Sequence, residues 1–426
     1  MQLEVGSIQI DNLELGARTA LHDHTLVVNP EEIRQLVLED SHFAAVDVHV
    51  ARPGDSVRII HALDVVEPRW KVAGRGGVFP GFVSPPTTVG DGRTHRLAGV
   101  AVVETGNPVP GEPTHFREQL IDMAGPGAQY SPFGSTLNLV LQFHPNPSFF
   151  PEEAVEVQDV IGGSAEAAEY NRAIMAAGMR VAAHLGRLAQ DAAPDDVETF
   201  ALPPCEPGLT RVACMYQVYR AFLYGLPVPL PLGTILHPNE CFDGALAGPR
   251  QSYRCTYWDQ NNAVLQELCR RHGQDLQFVG CVLFGDLTPY RDEKERVASA
   301  AVKLASLLGA DAALFLGLNG SNYAIDVMLA LQGCEQAGIK TTLLYQDVGE
   351  GRDDPGFIFA VPEADAIVNV GSRDLPVTLP APRQVIGGDH LVNPDQDASG
   401  EITVPIRYLH SACALQGFNR LSTRFE

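Results

Sequence analysis

Beyond residue 208 the chain alternates buried strands with capped helices, and this alternation limits the fold more than any other feature. Residues 211–218 and 277–283 are apolar runs of strand length. Between them Asn262 offers a helix N-cap, and Arg270-Arg271-His272 before Gly273 supplies a basic last turn and a stop. A second helix is predicted after Asp292, with Val297, Ala301, Leu304 and Leu308 on one stripe, ended by Gly309 and followed by a strand at 312–316. A third begins at Asn322, carries Ile325 and Leu329, stops at Gly338 and leads to a strand at 341–345, with a further strand at 366–370. Such alternation implies a mainly parallel sheet with right-handed crossovers. Ligands then sit beyond the carboxyl ends of its strands, here the loops at 285–289, 317–322 and 346–353.

Residues 1–150 have another texture: short β-rich runs at 7–15, 25–28, 44–51, 56–63, 97–105 and 138–143, punctuated by Gly and Pro. One helix interrupts them, announced by Asn29-Pro30-Glu31-Glu32 and continued by Ile33, Leu36 and Val37. An Ala-rich helix is expected over 164–188, and the acidic, Pro-rich stretch 191–208 reads as a linker. The expectation is therefore an α/β chain: a β-rich N-terminal lobe (1–150), a helix and linker (151–206), and an α/β lobe (207–426) ending in a β segment. A length of 426 residues, beyond the size at which one core keeps growing, agrees with two lobes.

The chain opens on a polar, strand-like segment without a basic run or apolar core, and no apolar run approaches about 18 residues, so a cytoplasmic, membrane-free protein is expected. Eight cysteines are scattered without a C-x-x-C pair, which points to reduced thiols. A formal net charge of -22 repels phosphate backbones and excludes nucleic acid as a partner class.

No Walker sequence, H-E-x-x-H or dinucleotide fingerprint occurs, so no nucleotide cofactor is expected. Gly74-Arg75-Gly76-Gly77 reads as a plain loop, and His22-Asp23-His24 as a turn without a third metal ligand. Residues 234–246 differ in kind, because His237, Glu240, Cys241 and Asp243 crowd one turn-rich stretch, with Cys255 shortly after. A thiolate becomes nucleophilic when a base or positive charge lowers its pKa, and His237, Arg250 and Arg254 are the candidates for that field. Cys214, Cys269, Cys281 and Cys334 fall on expected strands or helices and read as small buried apolar residues.

Long, ordered runs then carry a resemblance over nearly the whole chain. They include Val46-Asp47-Val48-His49-Val50-Ala51-Arg52-Pro53-Gly54-Asp55, Gly77-Val78-Phe79-Pro80-Gly81, Gly90-Asp91-Gly92-Arg93-Thr94-His95 and Gly125-Pro126-Gly127-Ala128-Gln129-Tyr130-Ser131-Pro132-Phe133. Asp243-Gly244-Ala245, Asn261-Asn262, Arg271-His272-Gly273 and Gly351-Arg352-Asp353 continue it. The chain resembles the precursor subunit of component B of the glycine, sarcosine and betaine reductases. The resemblance implies that an internal cysteine shortly before a Thr-Tyr pair cuts the chain through a thioester and becomes a pyruvoyl group. Cys255 holds that position here. The implied activity is reductive C–N cleavage of a small amino acid or amine. A selenol or thiol on a partner subunit attacks the carbon, within a homo- or hetero-oligomer.

The family's segment between Asp-Gly-Ala and Thr-Tyr is longer than here, where residues 246–255 end with Arg254 directly before Cys255. Two readings therefore stay open. In one, Cys255 matures to pyruvoyl; in the other the backbone stays intact and Cys255, with Cys241 and His237, acts as nucleophile or soft-metal ligand on a C–N or C–S bond of a small heterocycle, a desulfurase-like reaction. A third, non-enzymatic reading is a binding or scaffolding subunit. For a substrate carboxylate or carbonyl, Arg352 is the natural partner, with Asn322, His95 and Arg93 as further candidates. All of this expects the Cys255 thiol at an open mouth between the two lobes.

Overall fold

The computed structural model describes residues 1–110, 112, 119–150, 164–219, 221–228, 230–248, 254–285, 290–318, 321–347, 357–392 and 395–416. Its C-terminal part is built on the predicted sheet: six strands in the order Leu230–Leu236, Leu276–Gly285, Thr210–Gln217, Ala312–Leu316, Lys340–Asp347, Ile367–Ser372. Every pairing is parallel except that of the edge strand Leu230–Leu236, which runs antiparallel to Leu276–Gly285 and was not foreseen. Side chains alternate across the central strand as pleating requires. Ala213 and Met215 pack with Val297, Ala301, Val327 and Leu331 of helices Arg291–Leu307 and Ser321–Gln336, whereas Cys214 and Tyr216 pack with Leu265 and Leu268 of helix Ala263–Arg271.

Side-chain caps set the starts of several helices. Asn29 accepts from Glu31 N before Pro30–Leu38, Ser164 accepts from Ala167 N before Ala165–Gly186, and Asn262 accepts from Leu265 N. Two expected caps are displaced. Tyr290 rather than Asp292 precedes its helix, leaving Asp292 in the first turn where its charge meets the helix dipole, and Asn322 lies inside a helix that begins at Ser321.

The N-terminal part is β-rich, with two four-stranded sheets around helix Ala165–Gly186. One has the order Asp196–Ala201, Gln2–Gln9, Gly92–Ala98, Arg69–Ala73; the other Phe43–Ala51, Leu137–Pro145, Val100–Thr105, Val65–Val66. Two sequence expectations change here. The run 97–105 is not one strand: Gly99, at φ 88°, breaks it, and the two halves join different sheets. The linker expected at 191–208 contains strand Asp196–Ala201, paired antiparallel with Gln2–Gln9 and anchored by Phe200 against Phe242 at 4.7 Å between ring centroids. Its β-forming Val197, Thr199 and Phe200 outweigh the acidic composition that suggested a linker.

The end of the chain returns to the N-terminal part. Gln384–Ile386 pairs in parallel with Val57–Ile59, and His410 N donates to Leu120 O at 2.7 Å. Arg58, with no exposed surface, fastens this return by donating to both oxygens of Asp122 at 2.8 and 3.1 Å and to the carbonyls of Ala398 and Pro380 at 2.8 and 2.9 Å. Among the described residues no helix is long and apolar enough to cross a membrane.

Candidate active site

Cys255 lies where these parts meet. Its backbone is extended (φ −154°, ψ 174°) directly before the short helix Thr256–Gln260, which packs on strand Val65–Val66 and the neighbouring Val100–Thr105 sheet. Along Val100–Thr105 the pleat divides the work: Val102 faces helix Ala165–Gly186, while Ala101 and Val103 face Cys255, Tyr257 and Trp258. Phe133, from the matched 125–133 run, closes the surroundings. Its ring stacks on Trp258 at 5.4 Å, meets Tyr257 edge-on at 5.3 Å and lies 5.4 Å from His410.

The polypeptide around residue 255 is held by buried polar groups. Thr256 donates to both oxygens of Asp64, from its backbone N–H at 2.9 Å and its hydroxyl at 2.5 Å, and Gly248 N donates to the same hydroxyl at 3.0 Å. Burial raises the Asp64 carboxyl to about 6, although the Thr256 hydroxyl and N–H and the Val65 N–H pull it down. Gly248 presses on the Cys255 backbone so closely that a Cβ there would sit 2.6 Å from the Cys255 carbonyl carbon. On the far side the Cys255 thiol meets the Ser411 hydroxyl at 3.7 Å, and the Ser411 hydroxyl in turn meets His410 Nδ1 at 3.0 Å.

The thiol is fully buried, not at an open mouth as the sequence suggested. Burial pushes its pKa well above the ordinary thiol value, and the Asp64 charge adds to the rise; the Trp258 N–H and the Ser411 hydroxyl pull weakly the other way. Arg254 does not supply the activating field expected of it. Its guanidinium is spent on Asp259, which accepts at 3.0 and 2.8 Å, and it lies over the Tyr216 ring at 5.4 Å. Tyr216 also donates to Asp259 at 2.6 Å and accepts from Gln416 at 2.7 Å, so four side chains form one buried knot beside residue 255. Arg250 lies outside the described residues.

The other sequence candidates are placed elsewhere. Cys241 is buried in a separate apolar cluster with Cys214, Phe200 and Phe242, and burial, followed by the charges of Asp259 and Glu240, pushes its thiol well up. His237 caps helix Pro238–Phe242: its Nδ1 accepts from Asn239 N at 3.3 Å, while Glu240 accepts from His237 N at 2.8 Å. Burial lowers that imidazole to about 4, with help from the chain's amino terminus and His272. His95 donates from Nδ1 to the carbonyl of Ala189 at 2.7 Å, and Arg93 donates to Glu4 at 2.7 Å; both tie elements of the N-terminal part together. The Asn322 carbonyl accepts from Lys294 at 3.1 Å. Arg352 lies outside the described residues, as do most of the loops expected at 285–289 and 346–353. Among the described residues no three His, Cys, Asp or Glu side chains converge as a metal ion requires.

The matched Asp243 is a structural hub. Its carboxylate accepts from Lys71 at 2.5 Å, Gly90 N at 2.9 Å and Thr94 at 2.6 Å, with no exposed surface. Asp243→Ala is expected to lower unfolding stability by about 3–5 kcal/mol, because it leaves the buried Lys71 ammonium uncompensated. Urea denaturation measures the loss; a change below about 1 kcal/mol would contradict the hub.

A cavity of about 250 Å³ opens beyond the carboxyl ends of strands Lys340–Asp347 and Ile367–Ser372, where the sheet topology places ligands. Ser131, Gln346, Ser372 and Cys413 contribute its polar wall, and Ala412 and Cys413 follow directly on Ser411. Sequence reasoning missed Asp64, Gly248, His410 and Ser411. None belongs to a local motif; Ser411 alone has a local oddity, a non-glycine backbone at φ 60°, and that shows only in coordinates.

The model of the family described as "Glycine/sarcosine/betaine reductase component B subunits" matches residues 1–423. The chain is 31% identical over 453 residues to "Glycine reductase complex component B subunits alpha and beta" of Acetoanaerobium sticklandii, covering 100% of both chains. It is 33% identical over 454 residues to "Sarcosine reductase complex component B subunit alpha" of Peptoclostridium acidaminophilum, again over 100% of both. With "Betaine reductase complex component B subunit alpha" of the same organism it shares 31% over 410 residues, covering 91% of this chain and 88% of the relative. No solved structure matches. A match that spans both the β-rich part and the parallel sheet settles the kinship: the chain belongs to the glycine/sarcosine/betaine reductase component B subunit family.

Proposed function

We propose that this chain is the precursor of an amine-activating subunit of a reductase complex, and that it cuts itself between Arg254 and Cys255 to leave a pyruvoyl group on residue 255. The observation that carries this reading is the burial of Cys255 together with the grip on its backbone. Self-cleavage begins inside one chain: the thiol attacks the carbonyl that precedes it, so no outside molecule need reach the sulfur. A thiol acting directly on a substrate or a soft metal needs access and a lowered pKa, and Cys255 and Cys241 have neither. The residues fit a small ketoacyl terminus at this place, since the 255 backbone is extended and flanked by Gly248 and the Asp64-bound Thr256. Once formed, the pyruvoyl carbonyl supplies an electron sink that weakens the C–N bond of a small amine, and a thiol or selenol of another subunit supplies the reducing electrons.

The cut leaves the fold interlocked. Strand Thr210–Gln217 of the first fragment lies between Leu276–Gly285 and Ala312–Leu316 of the second, and Val57–Ile59 pairs with Gln384–Ile386. Intact mass and a denaturing gel of the purified protein test the proposal. Two fragments meeting at 254/255 are expected, with an undivided native mass by size exclusion, whereas Cys255→Ala remains one chain. A wild-type protein that stays whole would refute self-cleavage.

A further inference from the structure

Resting on that reading, we infer that Ser411 and His410 form the proton path for the first step of self-cleavage: the Ser411 hydroxyl takes the Cys255 thiol proton as it gives its own to His410 Nδ1. The two contacts, 3.7 Å from Sγ to the hydroxyl and 3.0 Å from the hydroxyl to Nδ1, line up thiol, alcohol and imidazole in one buried row.

The physical need for such a path comes from the thiol's surroundings. A free thiolate is strongly disfavoured there by burial and by Asp64, so the sulfur must lose its proton while it forms its new bond. Among the described residues, the side chain in hydrogen-bonding reach of Sγ is Ser411. An alcohol is a weak base by itself but passes a proton on when a second acceptor stands behind it, and His410 stands there. Burial lowers that imidazole to about 4, against the pull of the Leu63 carbonyl, so it is neutral and able to accept at physiological pH.

Two further observations point to this pair. Ser411 holds a left-handed backbone, φ 60°, with no exposed surface, a conformation that costs a non-glycine residue about 1 kcal/mol or more and survives where the surroundings impose it. The turn that carries both residues is fixed at its start by the bond from His410 N to Leu120 O, and Phe133 packs against the imidazole. Among the described residues, the charged or titratable groups facing the thiol are Asp64, Asp259 and Tyr257. Asp64 is engaged with Thr256 and Asp259 with Tyr216, and none of the three hydrogen-bonds to Sγ.

Atoms balance without an outside reagent. The bond from Sγ to the Arg254 carbonyl carbon forms, the bond from that carbon to the Cys255 nitrogen breaks, and the proton gained by His410 is given up to that nitrogen, so that serine and histidine end as they began. The product of the step is a thioester with a free amine at residue 255, and nothing is oxidised or reduced.

Full-length chain made by cell-free synthesis and sampled over time on denaturing gels tests the path. Ser411→Gly removes the hydroxyl while suiting the left-handed backbone, so the variant should fold at least as well as the wild type yet be cut about 100-fold more slowly. His410→Gln keeps an acceptor for the Ser411 hydroxyl but cannot carry a proton. Its cleavage should be slow and rise about tenfold per pH unit between about pH 7 and about pH 9, where the wild type is flat, because the thiol must then ionise before it attacks. A merely structural histidine would lower the rate without changing that slope. If the wild type is cut and Ser411→Gly is cut at the same rate, or His410→Gln keeps the flat profile, the path is wrong while self-cleavage stands. A wild type that is never cut overturns both.

Discussion

Adding one methyl group at residue 248 is expected to slow self-cleavage by about 100-fold, since misplacing reacting atoms by about 1 Å costs that much. In Gly248→Ala the new Cβ would lie 2.6 Å from the Cys255 carbonyl carbon, 2.7 Å from its Cα and 2.9 Å from Thr256 N. All three are backbone atoms, so no flexible side chain is there to move aside. Gly248 and the start of helix Thr256–Gln260 must separate, and the thiol, the Arg254 carbonyl and Ser411 lose their alignment together. The fold should survive with a loss of about 1–3 kcal/mol, the usual cost of overpacking, measurable by urea denaturation. Cleavage at the wild-type rate in this variant would show that the contact does not position the reacting peptide.

The second large effect concerns Asp64. Its carboxyl is raised from 3.8 to about 6 in the fold, with burial the main cause. A carboxyl that binds its proton more tightly when folded contributes stability below its unfolded pKa and loses it as pH rises through the folded value. The window therefore runs from about pH 4 to about pH 6, and the loss across it is on the order of 3 kcal/mol. Asp122, Glu240 and Asp259 are raised as well, each chiefly by burial, so the total pH profile belongs to several groups. Comparison with Asp64→Asn isolates one of them. The amide retains an oxygen for the Thr256 and Val65 N–H groups but does not titrate, so wild type and variant should diverge by about 3 kcal/mol between pH 4 and pH 7, the wild type falling relative to the variant. Parallel profiles would mean that the carboxyl is not strained by burial. The amide also gives the Thr256 hydroxyl a second donor besides Gly248 N, so slower cleavage should accompany the flatter profile.

Much of the architecture was legible in the sequence because it is encoded in short range. The helix after Asn29 announced itself through capping residue and apolar face, the helix after Ser164 through its alanine content, and the strand Ala312–Leu316 through the glycine stop before it. Where local signals compete, the reading slipped. Gly99 sits inside a run of strand formers, and the acidic composition around 196–201 masked a strand. The family runs were equally visible, yet visibility did not reveal role. Asp243, Asn261 and His95 turn out to be joints: Asn261 accepts from Arg69 at 2.8 Å and from Arg96 at 2.7 Å, much as Asp243 gathers Lys71, Gly90 and Thr94.

The sequence by itself determined the parallel sheet, the β-rich lobe and the kinship, because each is written in neighbouring residues or in runs that survive intact. Only the tertiary structure decided that the Cys255 thiol is sealed, that His237 caps a helix and that Arg254 is bound to Asp259. It also decided which groups surround the sulfur: Asp64 meets Thr256 across 192 positions, and Ser411 meets Cys255 across 156. Contacts of that range leave no periodicity in the chain. The first forms where helix Thr256–Gln260 packs on strand Val65–Val66, the second where the end of the chain returns to the N-terminal part, and the burial that raises Asp64 and Cys255 exists only once these parts have packed.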